Sequence, residues 1–454
     1  MANGPHDPAT PPSALGFGQA VAYWLKLGFI SFGGPAGQIS LMHQELVERR
    51  RWISEKRFLH ALNYCMLLPG PEAQQLATYI GWLMHRTWGG IVAGGLFVLP
   101  SLFILIALSW VYLAYGDVPA VAGFLYGIKP AVTAIVVFAA YRIGSRALKN
   151  RWLWAIAVAA FVAIFALNAP FPLIVLAAGV AGYLGGRFLP DSFAVGGVAH
   201  GQASHSFGPA WIDDDTPTPA HARFSWARSV RIIAVCLGLW AAAIGTLTAV
   251  LGWDAVLTQM GWFFTKAALL TFGGAYAVLP YVYQGAVEQH QWLTPVQMID
   301  GLALGETTPG PLIMVVSFVG FVGGWTKAIF GADSLFLSGA VAAAVVTFFT
   351  FLPSFFFILV GAPLVESTHG NLHFTAPLTG ITAAVVGVIV NLAVFFAYHV
   401  LWPRGTGGGF EWLAAGIGVA AAVALFRFKI GVIPVVLASG VAGLALSFLR
   451  PLLP

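Results

Sequence analysis

Charge is what this chain has least of. Its 454 residues include 22 lysines and arginines and 17 aspartates and glutamates, 9% of the total, where a soluble domain carries about 25%. So few charges cannot cover the surface that a soluble chain of this length presents to water, which excludes ordinary soluble domains. Cysteine is nearly absent. Cys65 and Cys236 stand far apart in apolar sequence, which excludes a disulfide framework or cysteine metal cluster and leaves packing. No His-Glu-x-x-His, P-loop or Gly-x-Ser-x-Gly occurs, so ATP-driven pumping and the common hydrolase sites find no support. His200 and His205 lack the spacing of a metal site, and no cofactor is expected. The segment MANGPHDPATPPSAL has no Lys or Arg, hence no signal-peptide n-region, and residues 1–14 read as a flexible tail.

What is abundant is apolar sequence: 59% of residues are hydrophobic and the mean hydropathy is +0.83. A helix needs about 20 apolar residues to cross the hydrocarbon core, so the chain has room for about a dozen crossings. The apolar runs are continuous and do not alternate with a period of two, which excludes an outer-membrane barrel. The 53 glycines and 27 prolines show no Gly-x-y period and lie inside the apolar runs, where they mark close packing or breaks. The fold expected is all-α and polytopic.

Nine stretches are long enough to cross alone: residues 91–115, 121–141, 152–167, 173–189, 232–251, 334–360, 376–399, 412–426 and 432–449. Four other regions, 15–47, 55–85, 256–287 and 295–325, are interrupted near the middle by glycine or proline. The interruptions are Ser31-Phe32-Gly33-Gly34-Pro35, Pro69-Gly70-Pro71, Thr271-Phe272-Gly273-Gly274 and Pro309-Gly310-Pro311. Each piece reaches only about 20–27 Å as a helix, which leaves re-entrant hairpins and short tilted crossings both open. The total is about 10 to 13 or more membrane segments.

One register relates the breaks. An offset of 240 carries Lys26 to Lys266, Phe32-Gly33-Gly34 to Phe272-Gly273-Gly274, Trp52 to Trp292, and Pro69-Gly70-Pro71 to Pro309-Gly310-Pro311. Further on, an offset of 253 carries Leu99-Pro100-Ser101 to Leu352-Pro353-Ser354 and Gly127 to Gly380. The organisation read from this is a tail (1–14), a first repeat (15–189), a polar linker (190–229), an unpaired helix (230–252) and a second repeat (253–454). Arg49, Arg50, Arg51, Lys56 and Arg57 flank the first inter-break loop, whereas residues 288–297 contain no Lys or Arg. The positive-inside bias puts the first loop and the linker in the cytoplasm and the second loop outside, so the repeats are expected to be inverted. Inverted repeats with discontinuous helices are a common architecture of secondary transporters.

A break inside the bilayer exposes backbone N–H groups, and those opening a half-helix make an anion site. Gly33, Gly34, Gly273 and Gly274 allow positive φ and close approach, and Pro71 and Pro311 suit a first helical position. Against this stands the simpler reading that such residues only kink or pack helices. Lys26 and Lys266 precede their Phe-Gly-Gly breaks by five residues, and Lys129 lies within an apolar helix; each is either an anion contact or a snorkelling side chain. Glu72 follows the first Pro-Gly-Pro, and Glu306, then Thr307 and Thr308, precede the second. A carboxyl beside an anion repels it when ionised and tolerates it when protonated, which makes Glu72 and Glu306 the candidates for proton coupling, although Glu72 also suits a helix N-terminus. The expected membrane-depth charges are Lys26, Glu72, Lys129, Lys266 and Glu306. Asp213-Asp214-Asp215 reads as part of a solvated linker, and the net charge of +5 as topology, without nucleic acid.

The segments Gly28-Phe-Ile-Ser-Phe-Gly-Gly-Pro35, Leu68-Pro-Gly-Pro-Glu-Ala-Gln-Gln75, Leu270-Thr-Phe-Gly-Gly-Ala-Tyr276 and Thr308-Pro-Gly-Pro311 resemble the paired signatures of the chromate ion transporter family, long-chain two-domain form. The resemblance runs from about Phe17 to Leu449. It implies a carrier of the bacterial inner (plasma) membrane that exports chromate, driven by proton gradient or membrane potential, and confers chromate resistance. Sulfate is the related substrate of some members. By motif match the functional residues are Phe32, Gly33, Gly34, Pro69, Gly70, Pro71 and Glu72, with Phe272, Gly273, Gly274, Pro309, Gly310 and Pro311. Leu312 stands where the first half has Glu72, so the half-sites are not equivalent. A sulfate or other oxyanion uptake carrier is the alternative, and a membrane-embedded enzyme using Glu72 or Glu306 the second. The lipid bilayer and protons are the other expected partners, and a homodimer stays open.

Overall fold

The computed structural model describes residues 12, 15–193, 207–217, 219–368 and 375–449. The tail expected over 1–14 lies almost wholly outside the described residues, as do His200 and His205. Every regular element among the described residues is helical: α1 (Phe17–Ile30), α2 (Gly34–His43), α3 (Glu55–Cys65), α4 (Glu72–Tyr115), α5 (Pro119–Ala147), α6 (Arg151–Leu167), α7 (Phe171–Phe188), the short α8 (Pro190–Phe193) and α9 (Trp226–Leu251). Then follow α10 (Val256–Leu269), α11 (Ala275–Tyr283), α12 (Pro295–Thr307), α13 (Val315–Thr326), α14 (Leu335–Thr368), α15 (Thr375–Leu401), α16 (Trp412–Phe426) and α17 (Val432–Leu449). The nine expected spans are all helical. Among the described residues six helices are long and apolar enough to cross a membrane, and α6, α13, α16 and α17 are apolar but shorter.

The offset seen in the sequence reappears in local geometry. Both α2 and α11 run into a single π turn, Gln44–Arg49 and Gln284–Gln289. Arg51 and Gln291 both take φ of 50°, and Ser54 and Thr294 cap α3 and α12 through their hydroxyls. A side-chain cap and a local backbone reversal need only a few residues, which is why they survive divergence.

The broken regions fold back as hairpins. Phe17 at the start of α1 packs its ring edge-on to His85, and Tyr23 does the same to Trp52. The linker gathers these ends: Trp211 N donates to Arg51 O at 2.9 Å, Ser54 N to Ile212 O at 3.0 Å, and His221 bonds to Trp82 O at 3.1 Å. Burial against Trp82, with Arg86 and Arg228 close by, lowers the His221 pKa and favours its neutral ring. All four limbs of the first half thus begin or end on the linker side. In the second half Thr326 Oγ1, at the end of α13, reaches back to Trp292 O at 3.2 Å, just before α12 begins. At His85 and Arg86 the backbone leaves helical geometry and α4 doubles back, so α4 is a re-entrant limb followed by a long one.

The halves are interlocked. The long helix α5 lies against α16 and α17 of the other half, and α15 lies against α6 and α7. Gly127 sits directly on Gly443 and Ser439 O; its counterpart Gly380 sits on Gly182 and Ala178 O. Without a water-driven force between helices in lipid, such small-residue contacts supply the packing. The first hairpins share one buried cluster with Ile358, Leu359, Ala362 and Val365 of α14, and the second hairpins share theirs with Val98, Leu102 and Leu105 of α4. Helix α9 packs on α10 and α14 but turns Val235, Leu237, Leu239 and Val250 outward, as a lipid-facing helix does.

Candidate functional site

The four hairpin tips meet in crossed pairs. Gly310 N donates to Ser31 O and Gly70 N donates to Thr271 O, both at 2.7 Å. Each Pro-Gly-Pro tip is therefore bonded to the Phe-Gly-Gly tip of the opposite half. Ser31 Oγ and Thr271 Oγ1 fold back onto Leu27 O and Ala267 O at 2.6 and 2.7 Å, closing the ends of α1 and α10.

Glycine serves two purposes here. At the Pro-Gly-Pro tips φ is +130° at Gly70 and +96° at Gly310, and a Cβ would strike Ser354 Oγ in the first and Ser101 Oγ in the second. These are close-packing glycines. At the Phe-Gly-Gly tips Gly34 and Gly274 also have positive φ, but no atom lies within 4 Å of where a Cβ would stand. Gly33 and Gly273 face similarly open ground. The open space borders the first turns of α2 and α11, neither of which has a side-chain cap. Uncapped N–H groups at the positive end of a helix favour an anion. Phe32 is exposed and Phe272 half-buried at the same rims.

Several expectations need correction. Pro71 and Pro311 do not occupy first helical positions. Each is the cap residue before the helix, with an extended backbone. Pro35 does lie in the first turn of α2. Lys26 and Lys266 are exposed on the outer faces of α1 and α10: Lys26 shares its face with Phe29 and Ile30, and Lys266 stands 5.8 Å from the Trp262 ring. Lys129 is paired. Its Nζ lies 3.5 Å from Asp300 Oδ2, which also accepts from Tyr112 OH at 2.9 Å. Asp300, 1% exposed, was missing from the expected membrane-depth charges.

The carboxyls flank the tips unequally. Glu306 is buried and accepts from Tyr276 OH, tying the end of α12 to the first turn of α11. Glu72, half-buried at the start of α4, has no hydrogen-bond partner among the described residues. Thr308 Oγ1 bonds to Gly305 O at 3.0 Å and Ser101 Oγ to Pro309 O. Gln38 donates to Gly310 O at 2.5 Å and Ser31 O at 3.2 Å, and Gln75 to Pro69 O at 2.8 Å. Gln38 and Gln75 are buried and were not singled out in the sequence, where an amide within an apolar run is the available signal. Among the described residues no group of His, Cys, Asp or Glu could hold a metal ion.

The chromate transporter family model matches residues 18–183 and 258–444. The chain is 34% identical over 443 residues to the chromate transport protein of Pseudomonas aeruginosa, covering 95% of this chain and 93% of that one. It is 30% identical to the chromate transport protein of Cupriavidus metallidurans, over 84% and 82% of the two chains. To the probable chromate transport protein of Synechococcus elongatus it is 29% identical, over 83% of each. No solved structure matches the chain.

Proposed function

Since the chain belongs to the chromate transporter family, we propose that it carries chromate out of the bacterial cytoplasm as a secondary active transporter and so confers chromate resistance. The observation that carries this reading is the crossed meeting of the tips, Gly310 N to Ser31 O and Gly70 N to Thr271 O, beside open, glycine-lined helix N-termini. A tetrahedral dianion is held there by the N–H groups of α2 and α11, with Phe32, Gly33 and Gly34 on one side and Phe272, Gly273 and Gly274 on the other. Pro69, Gly70, Pro71, Thr308, Pro309, Gly310 and Pro311 fix the frame. Lys129, paired with Asp300, and Lys26 and Lys266 stand further out.

The inverted arrangement of the halves is part of the proposal. It is supported by the arginine cluster and linker gathered at one end of the long limb of α4, and by the second-half hairpin residue Asp300 meeting Tyr112 near the other. Movement of two such halves about a fixed central site gives alternating access. Proton coupling through Glu306, held by Tyr276, and through Glu72 supplies the driving force. Sulfate shares the shape and charge of chromate, so the same site serves an uptake carrier as the second reading. Counterflow of labelled chromate and labelled sulfate in proteoliposomes separates the two. Chromate counterflow that unlabelled sulfate fails to compete with is expected, and no chromate counterflow at any pH would sink the proposal.

A further inference from the structure

Two polar clusters away from the tips also join the halves, and they lie at opposite ends of the long limb of α4. In the first, Arg57 Nη1 of α3 stands 3.7 Å from Glu366 Oε2 near the end of α14, and Tyr79 OH donates to Glu366 Oε1 at 2.5 Å. Arg57 Nη2 also donates to Thr216 O of the linker at 2.5 Å, so this cluster is on the linker side. The second is Asp300 of α12 with Lys129 of α5 and Tyr112 of α4. Tyr112 lies about 40 Å along the helix from the reversal at Arg86.

The two clusters occupy corresponding places. In each, the far end of a long helix, α14 or α4, meets the re-entrant helix of the opposite half, α3 or α12. Each contains one carboxylate, one tyrosine hydroxyl and one base. Yet the residues are not copies: the offsets pair Asp300 with His60 and Glu366 with Leu113. The same chemistry therefore arose separately at both ends, which inheritance of a common scaffold does not explain. Neither cluster is good cement. Asp300 Oδ1 is buried without a partner, and Arg57 Nη1 makes no hydrogen bond. A buried, incompletely satisfied ion pair adds little stability compared with apolar packing. A contact that is to be broken and hydrated in turn has no such objection against it.

Resting on the carrier reading above, we infer that these clusters are the two gates of the transport path. Arg57, Tyr79 and Glu366 close the linker side; Lys129, Tyr112 and Asp300 close the opposite side. With both formed, the structure is the occluded state. Opening one gate separates a long-helix end from the hairpin of the other half while the second gate holds.

The test places a reporter cysteine at Ala275, buried beside Gly274, in a full-length chain with Cys65→Ala and Cys236→Ala, and labels it with a membrane-impermeant thiosulfonate from one face of oriented vesicles at a time. Asp300→Asn is expected to raise labelling at least about fivefold from the face opposite the linker only, and Glu366→Gln from the linker face only. The exchange Lys129→Asp with Asp300→Lys restores the parent pattern. Equal increases from both faces, the signature of a loosened fold, or no change in either variant, overturn the proposal. Labelling needs no substrate, so a chain that labels as expected but fails chromate counterflow would remove the chromate reading and leave the gates standing.

Discussion

The two Pro-Gly-Pro hairpins follow one backbone path, and the side chains around them differ. At the first tip Gln75 bonds the Pro69 carbonyl, and its second-half counterpart is Val315. At the second tip Gln38 bonds the Gly310 carbonyl from the other half, and its own counterpart is Val278. Glu72 opens one helix where Leu312 opens the other, and Glu306 stands opposite Met66. The crossed backbone bonds, 2.7 Å on both sides, are kept. They ask of the sequence only that Gly70 and Gly310 stay glycine, so duplication preserves them while the surrounding side chains are free to specialise. A carrier needs that freedom, because its two faces meet different solutions.

The sharpest way to break the backbone equivalence is at its glycines. Gly70→Ala and Gly310→Ala each combine a left-handed φ with a direct collision, and each is expected to cost about 3 kcal/mol or more. Gly34→Ala, with a positive φ but open space, costs about 1–2 kcal/mol. Thermal unfolding of the purified variants in detergent checks the order, and a Gly34 variant as unstable as the other two would contradict the distinction between packed and open tips. The side-chain asymmetry is tested next. Glu306→Gln removes an ionisable group from a buried bond with Tyr276 and is expected to flatten the pH dependence of chromate flux. Glu72→Gln, at a helix N-terminus where a carboxylate is worth about 0.3–1 kcal/mol, shifts it less. Identical pH profiles for both variants and the parent would remove the carboxyls from coupling. The smallest effect is expected from the outward-facing pair: Lys26→Ala and Lys266→Ala each change stability by no more than about 0.5 kcal/mol and leave flux close to the parent's. A large loss from one alone would put it on the transport path.

The spans, the breaks and the repeat were legible because each rests on a local property: a run of apolar residues, a Gly or Pro inside it, a fixed register. Hairpin against crossing was not legible, since a piece of about 20–27 Å fits either. The contacts of Ile212 with Trp52 and Ser54, and of His221 with Trp82, show limb ends gathered on the linker. Asp300 was missed for a related reason. It lies in a short mixed segment, five residues into α12, where a polar residue reads as the edge of a loop. Only the arrival of Lys129 and Tyr112, more than 170 positions earlier in the chain, shows that it is buried. Pairing across the halves leaves no mark within a sequence window.

The exchange of helices between the halves has a consequence for how this protein is made. The glycine face of α5 at Gly127 is covered by Ser439 and Gly443 of α17, and that of α7 at Gly182 by Ala376, Pro377 and Gly380 of α15. While only the first repeat has been made, these two packing surfaces have no partner. A chain cut in the linker and expressed as two fragments is expected to recover its structure only when both are inserted in the same membrane.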